Sequence, residues 1–127
     1  MPGPSPFQYA IVRVVPRVER GEYLNAGVIL FCRPRRFLAG RVALDEARLA
    51  AFAPDCDLSA VAAHLHAIVR IAAGDAAAGP MARLPAAERF HWLVSPSSTM
   101  IQPSEVHTGL TESPADELDH LFEAMVE

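Results

Sequence analysis

No lysine occurs anywhere in the 127 residues; all eleven basic side chains are arginine. That absence excludes a Schiff-base lysine, a phosphate-loop lysine and a lysine general base. Cysteine is scarce. Cys32 and Cys56 are the only two, too few for a disulfide framework, and a cytoplasmic chain would keep them reduced. No apolar run reaches membrane-spanning length, because Arg13 interrupts the stretch that follows the N-terminus. Glycine-rich phosphate loops and nucleophile elbows are missing as well. Nothing in the chain calls for a cofactor or a metal.

What is present describes a folded protein. Apolar residues make up 51% and charged residues 20%, which argues against wholesale disorder. The length suits one domain, expected over residues 7–127, after a short disordered leader of residues 1–6 that carries no targeting signal. A cytoplasmic location is expected. The formal charge of −4 hides an asymmetry. Residues 1–48 carry eight arginines against four acids, whereas residues 49–127 carry three against eleven. Such halves either neutralise each other on folding or present one basic and one acidic face to partners.

Phe7 to Val15 is rich in β-branched and aromatic residues and reads as a strand, apolar enough on both faces to be central. Gly27 to Cys32 reads as a second strand. Arg36 to Leu44 reads as a third, antiparallel to it across the Arg33-Pro34-Arg35 turn, with Gly40 marking a bulge or a close approach. Asp45 caps a short helix from Glu46 to Ala53 with Leu49 and Phe52 inward. Asp57 caps a longer one from Leu58 to Ala73, whose apolar stripe includes Val61, Leu65, Ile68 and Ala72, and Gly74 stops it. Phe90 to Val94 reads as a fourth strand, Thr99 to Gln102 as a short fifth, and Pro103 to Thr111 as a loop carrying His107. Ser113-Pro114-Ala115-Asp116 has the form of a capping box opening a helix over 114–126, with Leu118, Leu121, Phe122 and Met125 inward. The expected fold is α+β: a mainly antiparallel four- or five-stranded sheet packed by a central helix and a C-terminal helix.

The residues that carry chemistry are scattered. His64 and His66 stand two apart on a helix, so their rings leave on opposite flanks, and no metal site is expected. Cys56 precedes a helix, but Asp55 and Asp57 flank it and oppose a thiolate. Arg13 lies inside an apolar strand and needs a partner, for which Glu19 and Glu22 are the candidates. The sharpest reading gathers Arg13, Arg17 and Arg20 with Ser97, Ser98, Thr99 and His107 into one anion-binding pocket at a sheet end. Arg33, Arg35 and Arg36 crowd one hairpin tip, a solvated knob or a contact for nucleic-acid phosphates. No aromatic stacking platform accompanies that tip, and the acidic balance argues against a dedicated nucleic-acid binder.

Two blocks carry a family resemblance. One runs from Tyr9 to Cys32 (YAIVRVVPRVERGEYLNAGVILFC). The other runs from Glu88 to Thr99 (ERFHWLVSPSST) and on through His107-Thr108-Gly109-Leu110. Together they resemble the bacterial domain-of-unknown-function family 3037, over nearly the whole chain. The resemblance implies a small stand-alone protein with no established activity. It also implies a partner, since genes of this family often neighbour one for a HipA-like kinase-fold protein. It singles out Arg13, Arg17, Glu19, Glu22, Asn25, Ser98, Thr99 and His107, which fall inside the matching blocks, without giving them roles. His107 is the one candidate for acid–base chemistry.

The leading expectation is a non-enzymatic protein-interaction or regulatory module. The alternative is an enzyme or sensor that binds a phosphorylated small molecule or nucleotide through the Arg/Ser/Thr/His set. A second alternative is nucleic-acid binding through the Arg33–Arg36 tip.

Overall fold

The structure, a computed structural model, describes residues 3–97 and 99–127; Met1, Pro2 and Ser98 lie outside the described residues. Strand β1 (Ser5–Val14) is the spine of the sheet. On one side it pairs antiparallel with β2 (Leu24–Cys32), and β2 pairs with β3 (Phe37–Val42). Along its other side run two short strands in succession. β4 (Ile101–Pro103) pairs with Val12–Val14, and β5 (His107–Thr111) pairs with Ser5–Tyr9, both antiparallel. Buried Ser104 bridges the gap between them. Its N–H donates to the Ile11 carbonyl at 2.8 Å, and its hydroxyl accepts the Ile11 N–H at 2.8 Å. The ladder of β1 therefore continues without an orphaned group at that point.

Alternation along the strands sends side chains into two separate cores. Val12, Val14, Ile29 and Phe31 face one way, onto α1 (Glu46–Phe52), α2 (Leu58–Ala73) and α3 (Ala86–Leu93). Phe7, Ile11, Val28, Leu30 and Cys32 face the other way, onto α4 (Pro114–Met125). The second core needs Gly109. A Cβ there would sit 2.7 Å from two atoms of the Phe7 ring.

Six expected elements are present with close bounds: three strands and the helices α1, α2 and α4. The α+β class stands, with five antiparallel strands. Four local readings are corrected. Phe90–Val94 is not a strand but the second half of α3 with its C-cap Val94, and Phe90 and Leu93, three apart, are buried while His91 and Trp92 face out. Residues 107–111 are not a loop but β5; polar His107 and Thr108 pair because β1 offers an open edge. Ser5 and Pro6, expected in a disordered leader, pair in β1. Gly40 marks no bulge, because β2 and β3 pair in unbroken register; the shift lies between β1 and β2 at Val12/Arg13.

Helix ends repeat the lesson. Asp45 and Asp57 accept the N–H groups of Arg48 and Ala60, each at 3.0 Å, as their carboxylates are suited to do. Ser113 occupies the N-cap of α4 with Pro114 next to it, but its hydroxyl makes no capping bond. Phe52 and Met125, expected inward, are 36% and 40% exposed. α4 is instead fastened from the sheet. Asn25 donates to the Met125 carbonyl at 3.0 Å, and Arg41 reaches Asp119 at 2.9 Å while its guanidinium lies 4.3 Å from the Phe122 ring centre.

Candidate functional site

The proposed pocket residues do not form one pocket. They divide among four places, and the alternation of β1 explains why. Val12 lines the groove that holds Thr99, so its neighbour Arg13 projects to the opposite face of the sheet. His107 pairs with Tyr9, four residues before Arg13, a separation of about 13 Å along the strand.

The first place is a polar cleft of ≈ 410 Å³ beyond the end of β1. Pro16, Arg17, Arg20 and Glu22 form one wall, and the end of α1 with Phe52 and Pro54 forms the other. Residues 17–21 make a tight turn, in which the Arg20 N–H donates to the Arg17 carbonyl at 3.0 Å and Gly21 takes φ +72°. A turn of this kind brings side chains three apart to one side, which aligns Arg17 with Arg20. The Arg20 Nε donates to Glu22 at 2.6 Å. That hydrogen bond raises the Arg20 pKa and holds the Glu22 carboxyl below its ordinary range. Glu19, exposed on the same turn, adds a weaker attraction to Arg20. Arg17 has no ion-pair partner among the described residues.

The second place surrounds Arg13. Its expected ion pair with Glu19 or Glu22 is not found; Glu22 is taken by Arg20. The Arg13 guanidinium instead lies 4.3 Å from the ring centre of Tyr23, a cation–π contact of about 1 kcal/mol. Its Nε is buried without a hydrogen-bond partner among the described residues. Asn25 stands opposite Arg13 in the register and spends its amide on α4. Asn25 thus serves the join between sheet and helix.

The third place is a groove of ≈ 320 Å³ between α2, α3 and β4. Ile68, Leu93 and Ile101 form its apolar floor, and His64, Trp92 and Thr99 stand around it. Trp92 is 50% exposed. The hydroxyls here satisfy one another. Thr99 donates to the Ile101 carbonyl at 2.9 Å, so the 2.9 Å contact between Ser97 and Thr99 is donated by Ser97. Ser97 also accepts the Thr99 N–H at 3.2 Å. Their hydrogens are committed, which leaves little to offer an anion. Ser98 lies outside the described residues.

The fourth place is the β5 side of the α4 face. His107 packs on Tyr9 with ring centres 5.2 Å apart, and its Nε2 is 3.6 Å from a Glu105 carboxylate oxygen. The basic hairpin tip is divided too. Arg35 turns back to Ser5 and the Gly3 carbonyl, both at 2.9 Å, leaving Arg33 and Arg36 exposed. Cys56 is held in its thiol form: burial raises its pKa and the Asp57 charge adds to the effect. Its Sγ sits 3.7 Å from the Met100 sulfur.

Sequence reasoning missed Trp92 and Phe52 as surface features. The signal for Trp92 was present in the i, i+3 spacing of Phe90 and Leu93, which turns Trp92 outward once the segment is a helix. Among the described residues no helix is long and apolar enough to cross a membrane.

These features define an α+β protein with one antiparallel sheet, helices on both faces and surface clefts at one end of its central strand. A family model described as a protein of unknown function, DUF3037, matches residues 9–126, and the chain belongs to that family. No curated protein and no solved structure matches it.

Proposed function

We propose that the chain is a non-catalytic protein-interaction module whose docking surface is the groove between α2, α3 and β4. The observation that carries this reading is Trp92, half exposed beside an apolar floor. An indole left in water at such a place is the residue type that dominates binding energy when a partner covers it. His64 at the rim offers polar contact to a partner backbone. The family resemblance supplies the partner we name, a HipA-like kinase-fold protein.

The test is binding of the purified chain to that protein at micromolar concentration, with Trp92→Ala beside the unaltered chain. We expect measurable affinity that falls at least tenfold in the variant, a loss of about 1.4 kcal/mol or more. No binding at micromolar concentration removes the partner. Binding that Trp92→Ala leaves unchanged removes the groove.

A further inference from the structure

The Arg17–Arg20–Phe52 cleft shares no lining residue with the Trp92 groove, and its chemistry is different. We infer that this cleft is a binding site for a small phosphomonoester attached to a flat ring, such as an aryl or nucleoside phosphate.

The guanidinium pair sets the anionic half of the ligand. The turn places Arg17 and Arg20 on one wall. Arg20 is oriented by Glu22 through its Nε alone, which leaves its two terminal nitrogens available as a planar fork. Arg17 is committed to no carboxylate among the described residues. Counting Glu22, the lining side chains carry one net positive charge. A phosphomonoester, with charge of about −1.5 to −2 near neutral pH and three acceptor oxygens, uses these donors more fully than a carboxylate can.

The opposite wall sets the rest. Phe52 belongs to a helix whose Leu49 is fully buried, yet its own ring is 36% exposed and lines the cleft. Pro16 and Pro54 flank it with rigid apolar surface. An aromatic ring turned toward a cation pair gives a flat ligand both a stacking face and an electrostatic anchor. A volume of ≈ 410 Å³ falls within the range of roughly 300–1,000 Å³ typical of small-molecule sites.

The experiment titrates the whole chain at low salt with phenyl phosphate, adenosine monophosphate, inorganic phosphate and adenosine, followed by NMR shifts and calorimetry. Phenyl phosphate or adenosine monophosphate is expected to bind at least tenfold more tightly than inorganic phosphate or adenosine, with shifts centred on the Arg17 and Phe52 amides. Arg17→Gln should weaken the ring phosphates at least tenfold. Phe52→Leu should weaken them several-fold and leave inorganic phosphate unchanged. Arg33→Gln, at the exposed hairpin tip, should alter nothing, which separates a site from general charge attraction. Because Arg17 is exposed, its variant should keep the amide spectrum of the parent. Absence of binding up to about 10 mM overturns the inference, since that limit is weaker than about −2.7 kcal/mol. So does indifference to Arg17→Gln, and so does equal affinity for phosphate with and without the ring.

Discussion

Helices α2 and α4 lie on opposite faces of the same sheet and are held there by different means. α2 carries its own instructions. The Asp57 carboxylate caps one end, Gly74 at φ +75° ends the other, and Val61, Leu65, Ile68, Ile71 and Ala72 are buried along one stripe. α4 has a serine at its N-cap that makes no capping bond and three buried residues, Leu118, Leu121 and Phe122. Its position depends on Asn25 and Arg41, which reach it from β2 and β3. A helix of the first kind is legible as a local pattern. A helix of the second kind is completed only by the sheet it lands on.

Core truncation should show the largest difference. Leu65→Ala removes a side chain that is 2% exposed within the larger core and should cost about 3–4 kcal/mol. Leu121→Ala, 8% exposed at the edge of the smaller one, should cost about 2 kcal/mol. Urea midpoints with unchanged slopes check both values. Equal losses would mean that the α4 face is as tightly packed as the α2 face.

Gly109→Ala probes the packing of the α4 face directly. The new Cβ meets the Phe7 ring at 2.7 Å, so the ring must move. The expected cost is about 1–2 kcal/mol in thermal or chemical unfolding. A neutral result would show that Phe7 has room to shift and would sharpen the contrast with the denser face.

The caps separate the helices next. Asp57→Ala should cost about 1 kcal/mol because the Ala60 N–H loses its acceptor. Ser113→Ala should cost less than about 0.3 kcal/mol, since no bond is lost. Asn25→Ala should cost about 0.5–1 kcal/mol and speed amide exchange in the last turn of α4, with α2 unaffected. Exchange that rises equally in both helices would break the distinction.

The same contrast explains what the sequence made legible. β1, β2 and α2 follow from local periodicity, turn residues and caps, all of which act within a few residues. The Phe90–Leu93 segment was misread because a short apolar run fits either period until its neighbours are known. β5 was hidden because Gly109, a residue depleted in strands, interrupts a short polar run, and the free edge of β1 recruits the segment. The candidate site failed as a single pocket for a simpler reason. It joined two clusters far apart in the chain, Arg13 to Arg20 and Ser97 to His107, without assigning them to faces, although alternation alone sets Arg13 opposite Val12. Arg17, Arg20 and Glu22 do converge, because they belong to one turn and its exit. Phe52 joins them only through the packing of α1.

The smallest expected effect concerns the end of α2. Asp75 follows the Gly74 stop, accepts from Arg70 Nε at 3.0 Å and from the Ala77 N–H at 3.0 Å. The Arg70 bond first, and the backbone bond second, lower its pKa below the ordinary carboxylate value. A carboxyl with a lower pKa in the folded chain binds protons more readily when unfolded. Its stabilising contribution is therefore present above about pH 4 and is lost as pH falls through the folded-state value. Asp75→Asn should leave a slightly less stable protein at pH 7 and a flatter decline of stability below about pH 5. Because Asp75 and Arg70 are solvent-exposed, salt should shrink the difference. Parallel pH profiles for the two proteins would show that α2 is closed at this end by Gly74 alone, with the carboxylate contributing nothing to the contrast with α4.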